Sequence, residues 1–341
     1  MFNLSQKIGI DLGTANVLVY QKGNGIVLQE PSVVAIDKNN NKTLAVGAEA
    51  RRMIGRTPSH IVAIRPLKDG VIADFEMTEA MLKNFISKVV KSRPLFKPEL
   101  MVCIPVGITE VERRAVEEAA NQVGARKTYL IEEALAAAIG AGMPVAEPSG
   151  SMIIDIGGGT AEIAVISLGG IVVSESLRLG GDQFDADIVR YVREQYNMVI
   201  GDKTAEEIKF EIGSAVVEEN ESFEMRGRDL MSGLPRHQEI TAEEVREAVD
   251  ESIDSIVEAV RSVLERTPPE LSSDIMDCGV IMTGGGSLLK NFDKLLSNET
   301  DVPVFLADDP LTCVARGTGK ALEEIDELKE IIFNNREKAY K

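Results

Sequence analysis

Three short segments of this sequence carry residues whose types and spacing suit phosphate chemistry. Asp11-Leu12-Gly13-Thr14-Ala15-Asn16 overlaps the apolar run Ile8–Leu12 and leads into Val17–Tyr20. Asp155-Ile156-Gly157-Gly158-Gly159-Thr160 stands in the same way between Met152–Ile156 and Ile163–Ile166. Each reads as a β-hairpin with a glycine-rich turn. Main-chain N–H groups in such a turn converge on phosphate oxygens, because glycine has no Cβ to keep the ligand away. Asp11 and Asp155 occupy equivalent places. A carboxylate there holds Mg²⁺, usually through water, since magnesium dehydrates reluctantly. A third cluster, Thr283-Gly284-Gly285-Gly286-Ser287, follows the strand pattern Val280–Met282 and is expected to open a helix. A helix N-terminus there favours an anion or a close backbone approach by a ligand.

Other glycine motifs fit less well. A dinucleotide fingerprint needs a third glycine where Glu162 stands, and no G-x-x-x-x-G-K-[ST] occurs. One such cluster alone is as readily a tight turn. Three clusters, two with matched aspartates, point to a nucleoside triphosphate.

The elements that must position these turns follow from pattern. Strand-like and helix-like runs alternate from end to end, which predicts an α/β architecture. The repeated hairpin recurs at far too long an interval for a solenoid and implies a duplicated domain. Capping patterns open helices at Thr109-x-x-Glu112, Thr204-x-x-Glu207 and Thr241-x-x-Glu244. The first of these ends near Gly124, and Pro268-Pro269 stops the last. Leu322, Ile325, Leu328 and Ile332 lie at helical spacing, giving a terminal helix from about Gly319 to Phe333. Asn39–Asn41 and Glu218–Glu224 are expected as exposed loops.

The 341 residues suffice for two compact domains, and 44% hydrophobic with 27% charged residues describes a globular chain. A net charge of −18 argues against a general nucleic-acid binder. Two histidines rule against a histidine-centred hydrolase, and three scattered cysteines fit packed, reduced thiols. No signal peptide or membrane span is apparent, so the protein is expected to be soluble and intracellular.

The phrases IGIDLGTAN, IIDIGGGTAEIAVIS and IMTGGGSLL resemble the phosphate and adenosine motifs of the actin, sugar-kinase and heat-shock-chaperone ATPases. Within that superfamily EPSVVAI, MIGRTP, RPLKDGVIADFE, LIEEALAAAIGAG, TAEEIKFEIGSA, EMRGRDLMSGLP and TPPELSSDIMD are similar to the MreB family of bacterial actins, nearly end to end. The resemblance implies an actin-like ATPase fold, with duplicated ribonuclease-H-like domains forming four subdomains around a nucleotide cleft. Residues 1–32, 66–146 and 310–341 would form subdomain IA and 33–65 subdomain IB. Residues 147–182 and 245–309 would form IIA, and 183–244 IIB.

It also implies ATP and Mg²⁺ as cofactors. Thr14, Ala15, Asn16, Gly157, Gly158, Gly159 and Thr160 would contact phosphates, with Asp11 and Asp155 near the metal. Glu206, Glu207, Ile208 and Lys209 would grip adenosine, although Glu207 also suits a capping box and Glu206–Lys209 a surface ion pair. Gly284, Gly285, Gly286, Ser287 and Leu288 would line the nucleoside from the other half. Glu133 matches the residue that orients the attacking water, with Thr160 as its second holder. The chain departs from the family at Ala134 (usually proline), Ala161 (usually threonine) and Val106 (often serine). Those changes bear on hydrolysis rate rather than on binding.

Between Glu79 and Glu99 there are five basic residues and no acidic one. Leu95 and Phe96 sit there in Arg93-Pro-Leu-Phe-Lys97, a pattern that suits insertion into an anionic bilayer surface, with inward packing as the alternative. Met1, Phe2 and Leu4 add a weaker apolar signal. The family resemblance adds head-to-tail protofilaments paired antiparallel through the helix at Thr109, with Val111, Arg113 and Arg114 as candidates, or Val111 in the core. It implies a cell-shape role at the inner face of the cytoplasmic membrane, membrane proteins of the shape machinery as partners, and slow ATP hydrolysis. A small-molecule kinase or chaperone ATPase on the same fold, or a scaffold that binds ATP without hydrolysing it, remain the alternatives.

Overall fold

The computed structural model describes residues 5–90 and 97–325. The putting-together of its first sheet begins with the two hairpin strands, Lys7–Leu12 and Asn16–Gln21, which pair antiparallel with Asp11 opposite Leu18. Gly25–Pro31 continues the antiparallel side, and Glu99–Ile104 and Lys127–Glu132 add parallel strands on the other. A second five-stranded sheet repeats this order and sense. Ser151–Ile156 and Ala161–Ser167 form its hairpin, Gly170–Leu177 flanks one side, and Val280–Thr283 and Val304–Leu306 run parallel on the other. The duplication inferred from the two aspartates is therefore present at the level of topology.

The central strands are buried on both faces, as their continuous apolar runs require. Each sheet carries its own apolar core. A third cluster joins the two lobes, with Leu135, Ile153, Ile166, Val314 and Leu322 among its members. Two helices, Glu133–Ala141 and Cys313–Glu323, pack against each other in it. Their backbones approach so closely that a Cβ on Gly317 would lie 1.7 Å from the Ala136 carbonyl oxygen. A Cβ on Gly140 would lie 1.8 Å from that of Cys313. Smaller sheets rise from each lobe: Val34–Asp37 with Lys42–Val46 and Ile61–Ile64, and Met198–Val199 with Ser222–Asp229 and Pro235–Thr241.

Several local expectations are corrected. Thr109 and Thr241 do make reciprocal capping boxes with Glu112 and Glu244. Thr204 does not, because its helix, Asp202–Ile212, starts earlier behind Gly201. The helix from Thr241 breaks at Val249 and resumes as Asp250–Arg266, and Pro269 opens a further helix, Pro269–Cys278. Pro268-Pro269 is thus both a stop and a start. The helix expected from Gly319 begins at Cys313 and ends at Glu323, with Glu324 as its cap; Leu328 and Ile332 lie outside the described residues. The acidic stretch expected as a loop ends in strand Ser222–Asp229. Cys103 and Cys313 are buried, but Cys278 is exposed. Val111 is 78% exposed, which settles it on the surface rather than in the core.

Candidate functional site

The two glycine hairpins meet tip to tip between the lobes. A Cβ on Gly158 would come within 2.7 Å of the Ala15 side chain, and one on Gly159 within 2.6 Å of Thr14 Oγ1. Only glycine permits this approach, and it sets both rows of turn amides around one cavity. Thr14 Oγ1 accepts from the Gly70 N–H at 3.0 Å, tying the first hairpin to the turn between Leu67–Lys68 and Val71–Ile72. Gly181 and Asp182, at the start of helix Gly181–Tyr196, donate N–H groups to the Gly157 and Gly158 carbonyls at 3.0 and 2.8 Å. That ties the second hairpin to a helix end.

Strand register aligns the acidic groups. Asp155 lies opposite Glu162 on one neighbouring strand and Thr283 on the other, so all three share a face. Thr283 Oγ1 donates to Asp155 Oδ1 at 2.7 Å. In the first lobe the Cys103 thiol donates to Asp11 Oδ1 at 3.5 Å. Burial, then the nearby Asp155 charge, pushes Asp11 up to about 7. Burial lifts Asp155 to about 6 against the Thr283 hydrogen bond. Burial, followed by Asp155, Glu162 and Asp11, raises Glu133 well above the carboxylate range. Such mutual repulsion is relieved by a hard cation, and carboxylate oxygens are the donors magnesium prefers. Asp11 and Asp155 fit that ion. The neighbouring Cys103 does not, because burial raises its thiol well above its ordinary value and keeps it protonated.

The cavity is lined by Asp11, Thr14, Ala15, Asn16, Glu133, Asp155, Gly157, Gly158, Gly159 and Thr160. Glu206, Lys209, Gly284, Gly285, Gly286 and Leu288 line it too, with Gly284 directly against Asp155. Three of the sequence candidates do not line it. Glu207 faces outward and pairs with Lys203 at 3.1 Å. Ile208 is fully buried in the core of the second lobe. Ser287 is buried with its hydroxyl donating to the Gly284 carbonyl at 2.6 Å. The turn Gly286–Leu288 is a single 3-10 turn, and the α-helix follows only at Phe292. Leu95 and Phe96, like Met1, Phe2 and Leu4, lie outside the described residues.

Glu133 opens helix Glu133–Ala141, and Glu132 before it does not line the cavity. Ala134 is fully buried beside it. The Val106 position, where a serine side chain was noted as missing, contributes its main chain instead. Its N–H donates to Glu162 Oε2 at 3.2 Å, linking the lobes through a bond that does not depend on the side chain at 106.

Other site residues carry weaker sequence signals. Asp182 and Asp185 follow the Gly180-Gly181 pair; Gly70 sits in an Asp-Gly turn; Phe210 stands in the phrase TAEEIKFEIGSA without a role of its own there, and Pro310 and Leu311 have no motif at all. Lys209 Nζ lies 2.7 Å from Asp185 Oδ1 and donates to the Gly181 carbonyl at 2.8 Å. Burial raises Asp185 to about 6, although Lys209 pulls it down.

A family model described as MreB/Mbl protein matches residues 5–330. The cell shape-determining protein Mbl of Bacillus subtilis (strain 168) is 56% identical over 325 residues, 95% of this chain and 98% of that one. The cell shape-determining protein MreB of Escherichia coli (strain K12) is 56% identical over 330 residues, 94% of each chain. Among solved structures, MreB5 of Spiroplasma citri bound to AMPPNP superposes with a TM-score of 0.91 at 41% identity, covering 96% of this chain and 98% of that one. The same protein is also known bound to ADP. The fold is therefore actin-like, as the motifs implied.

Proposed function

This chain belongs to the MreB/Mbl family, and from that premise we propose that it is an ATP-controlled, filament-forming cell-shape protein with slow hydrolysis. The observation that carries the reading is the abutment of the two hairpins, with Asp11, Asp155 and Glu133 around one cavity. ATP would place its phosphates against the Thr14–Asn16 and Gly157–Thr160 amides and its nucleoside toward Lys209 and Gly284–Leu288. Magnesium, held by Asp11 and Asp155 through water, would neutralise phosphate charge when bound.

Glu133 orients and polarises the attacking water from the cavity wall. Thr160, only 5% exposed and at the same cavity wall, is the second group for that water. The four-subdomain division at the boundaries given above belongs to the same proposal. It is supported by a separate sheet in each range.

The relatives' names support the cell-shape role. Head-to-tail assembly with antiparallel pairing rests on the family and on the exposed Val111, beside which Arg113 pairs with Glu110 at 3.6 Å. The peripheral membrane site at Leu95 and Phe96, and partners in the shape machinery, rest on sequence and family. No helix among the described residues is long and apolar enough to cross a membrane.

Sedimentation with ATP and Mg²⁺, with and without anionic vesicles, tests the reading. Nucleotide-dependent pelleting, with vesicle capture lost in a Leu95→Ala/Phe96→Ala variant, is the expected result. A protein that binds ATP yet stays in the supernatant throughout would be a soluble ATPase or kinase instead.

A further inference from the structure

Exposed apolar side chains are ordinary when scattered but informative when they converge on a cleft. Three of them, Phe210, Leu288 and Leu311, come from separate chain segments and line the same cavity. Their exposures are 64%, 48% and 44%, and none of them belongs to the two phosphate hairpins. A triphosphate seated on the hairpins leaves its base to pack on other parts of the same cavity wall.

Polar side chains close to these three in the chain are already engaged. Lys209 is held by Asp185 and the Gly181 carbonyl, Glu206 by Arg51, and the Ser287 hydroxyl by the Gly284 carbonyl. Pro310, Val314 and the Gly284–Gly286 backbone complete the wall. Side chains here offer the base a flat apolar surface rather than a hydrogen-bonded edge. The Lys209 ammonium lies 5.3 Å from the Phe210 ring centroid. It occupies one face of the ring and polarises it. The high exposure of the side chain leaves ring surface for a ligand.

We propose that Phe210 is the base-stacking residue of this site, and that with Leu288 and Leu311 it grips the nucleobase by its face. The proposal rests on the ATP reading above. It makes Phe210 a determinant of nucleotide affinity that the glycine and acidic motifs do not contain.

The chain has no tryptophan, so Phe210→Trp introduces a single fluorescent indole. ATP with Mg²⁺ is expected to quench that indole, whereas tripolyphosphate with Mg²⁺ leaves it unchanged. Phe210→Ala should weaken ATP binding about 5- to 150-fold in equilibrium dialysis, the range of one base–aromatic stack. Phe210→Trp should keep the unaltered affinity, and tripolyphosphate binding should be the same in all three proteins. The exposed position lets both variants fold, which thermal unfolding verifies. If the unaltered chain binds ATP but Phe210→Ala binds it equally and Phe210→Trp shows no quench, the stacking role is wrong and the ATP reading stands. If the unaltered chain takes up no ATP, both fall together.

Discussion

Arg51 and Glu206, one from each lobe, are hydrogen-bonded to each other beside the cavity that Glu206 lines. Arg51 ends the short helix Ala48–Arg51, and Glu206 lies on Asp202–Ile212. A second pair, Arg65 with Asp182 at 2.7 Å, spans the same gap. Glu206, a sequence candidate for gripping adenosine, is thereby engaged in holding the lobes together. Both pairs are partly exposed, so each contributes modestly. Arg51→Ala should release a fluorescent ADP analogue about two- to fivefold faster, the effect of losing one exposed ion pair. An unchanged release rate would show that closure does not depend on this pair.

On the proposed mechanism Glu133, which lines the cavity, acts on water and does not hold ATP. Glu133→Gln should lower phosphate release about 100-fold or more while ATP affinity changes little. Single-turnover phosphate release and equilibrium dialysis separate the two. Equal turnover in the variant would return the role to Thr160 or to the scaffold reading.

Glu162 is fully buried opposite Asp155, and burial raises its pKa to about 8 against hydrogen bonds from Ser176 and Val106. The unfolded chain releases this proton near the ordinary 4.5, so between 4.5 and 8 the folded state binds more protons. Its stability contribution is therefore complete below that window and is lost as pH rises through it. Glu162→Gln removes the loss. In the metal-free, nucleotide-free protein the variant should be more stable at pH 8.5, by about 1–3 kcal/mol. The difference should vanish near pH 4.5. Urea titrations at both pH values check the sign, and a variant that is less stable at high pH would contradict it.

Gly317 faces Ala136 on the helix that begins with Glu133. A methyl group at 317 has no space, since its nearest neighbour is main chain and not a movable side-chain tip. Gly317→Ala should cost about 1–3 kcal/mol in urea unfolding by forcing the helices apart. Because Glu133 rides on the displaced helix, phosphate release should fall as well. A stable variant with normal turnover would mean that the helix pair adjusts without moving the site.

The sequence by itself determined the two hairpins, their matched aspartates, the alternating α/β order and two of three proposed capping boxes. These are short-range properties: a strand's apolar run, a turn's glycines and a threonine three residues before a glutamate all act over a few residues. The motif resemblance extended that to the actin-like fold and to Glu133. What it left open was decided between residues far apart in the chain. Arg51 and Glu206 are 155 positions apart, and no local pattern pairs them. Thr204 fits a capping pattern, yet packing of Asp202–Ile212 behind Gly201 starts the helix earlier. Ser287 and Ile208 stand inside matching phrases but turn into the protein. Phe210 stands in the same phrase as Lys209 with nothing local to mark its side chain as cavity-lining. Which side of an element meets the ligand depends on how two lobes close on each other, and that is set by through-space packing that no local pattern encodes.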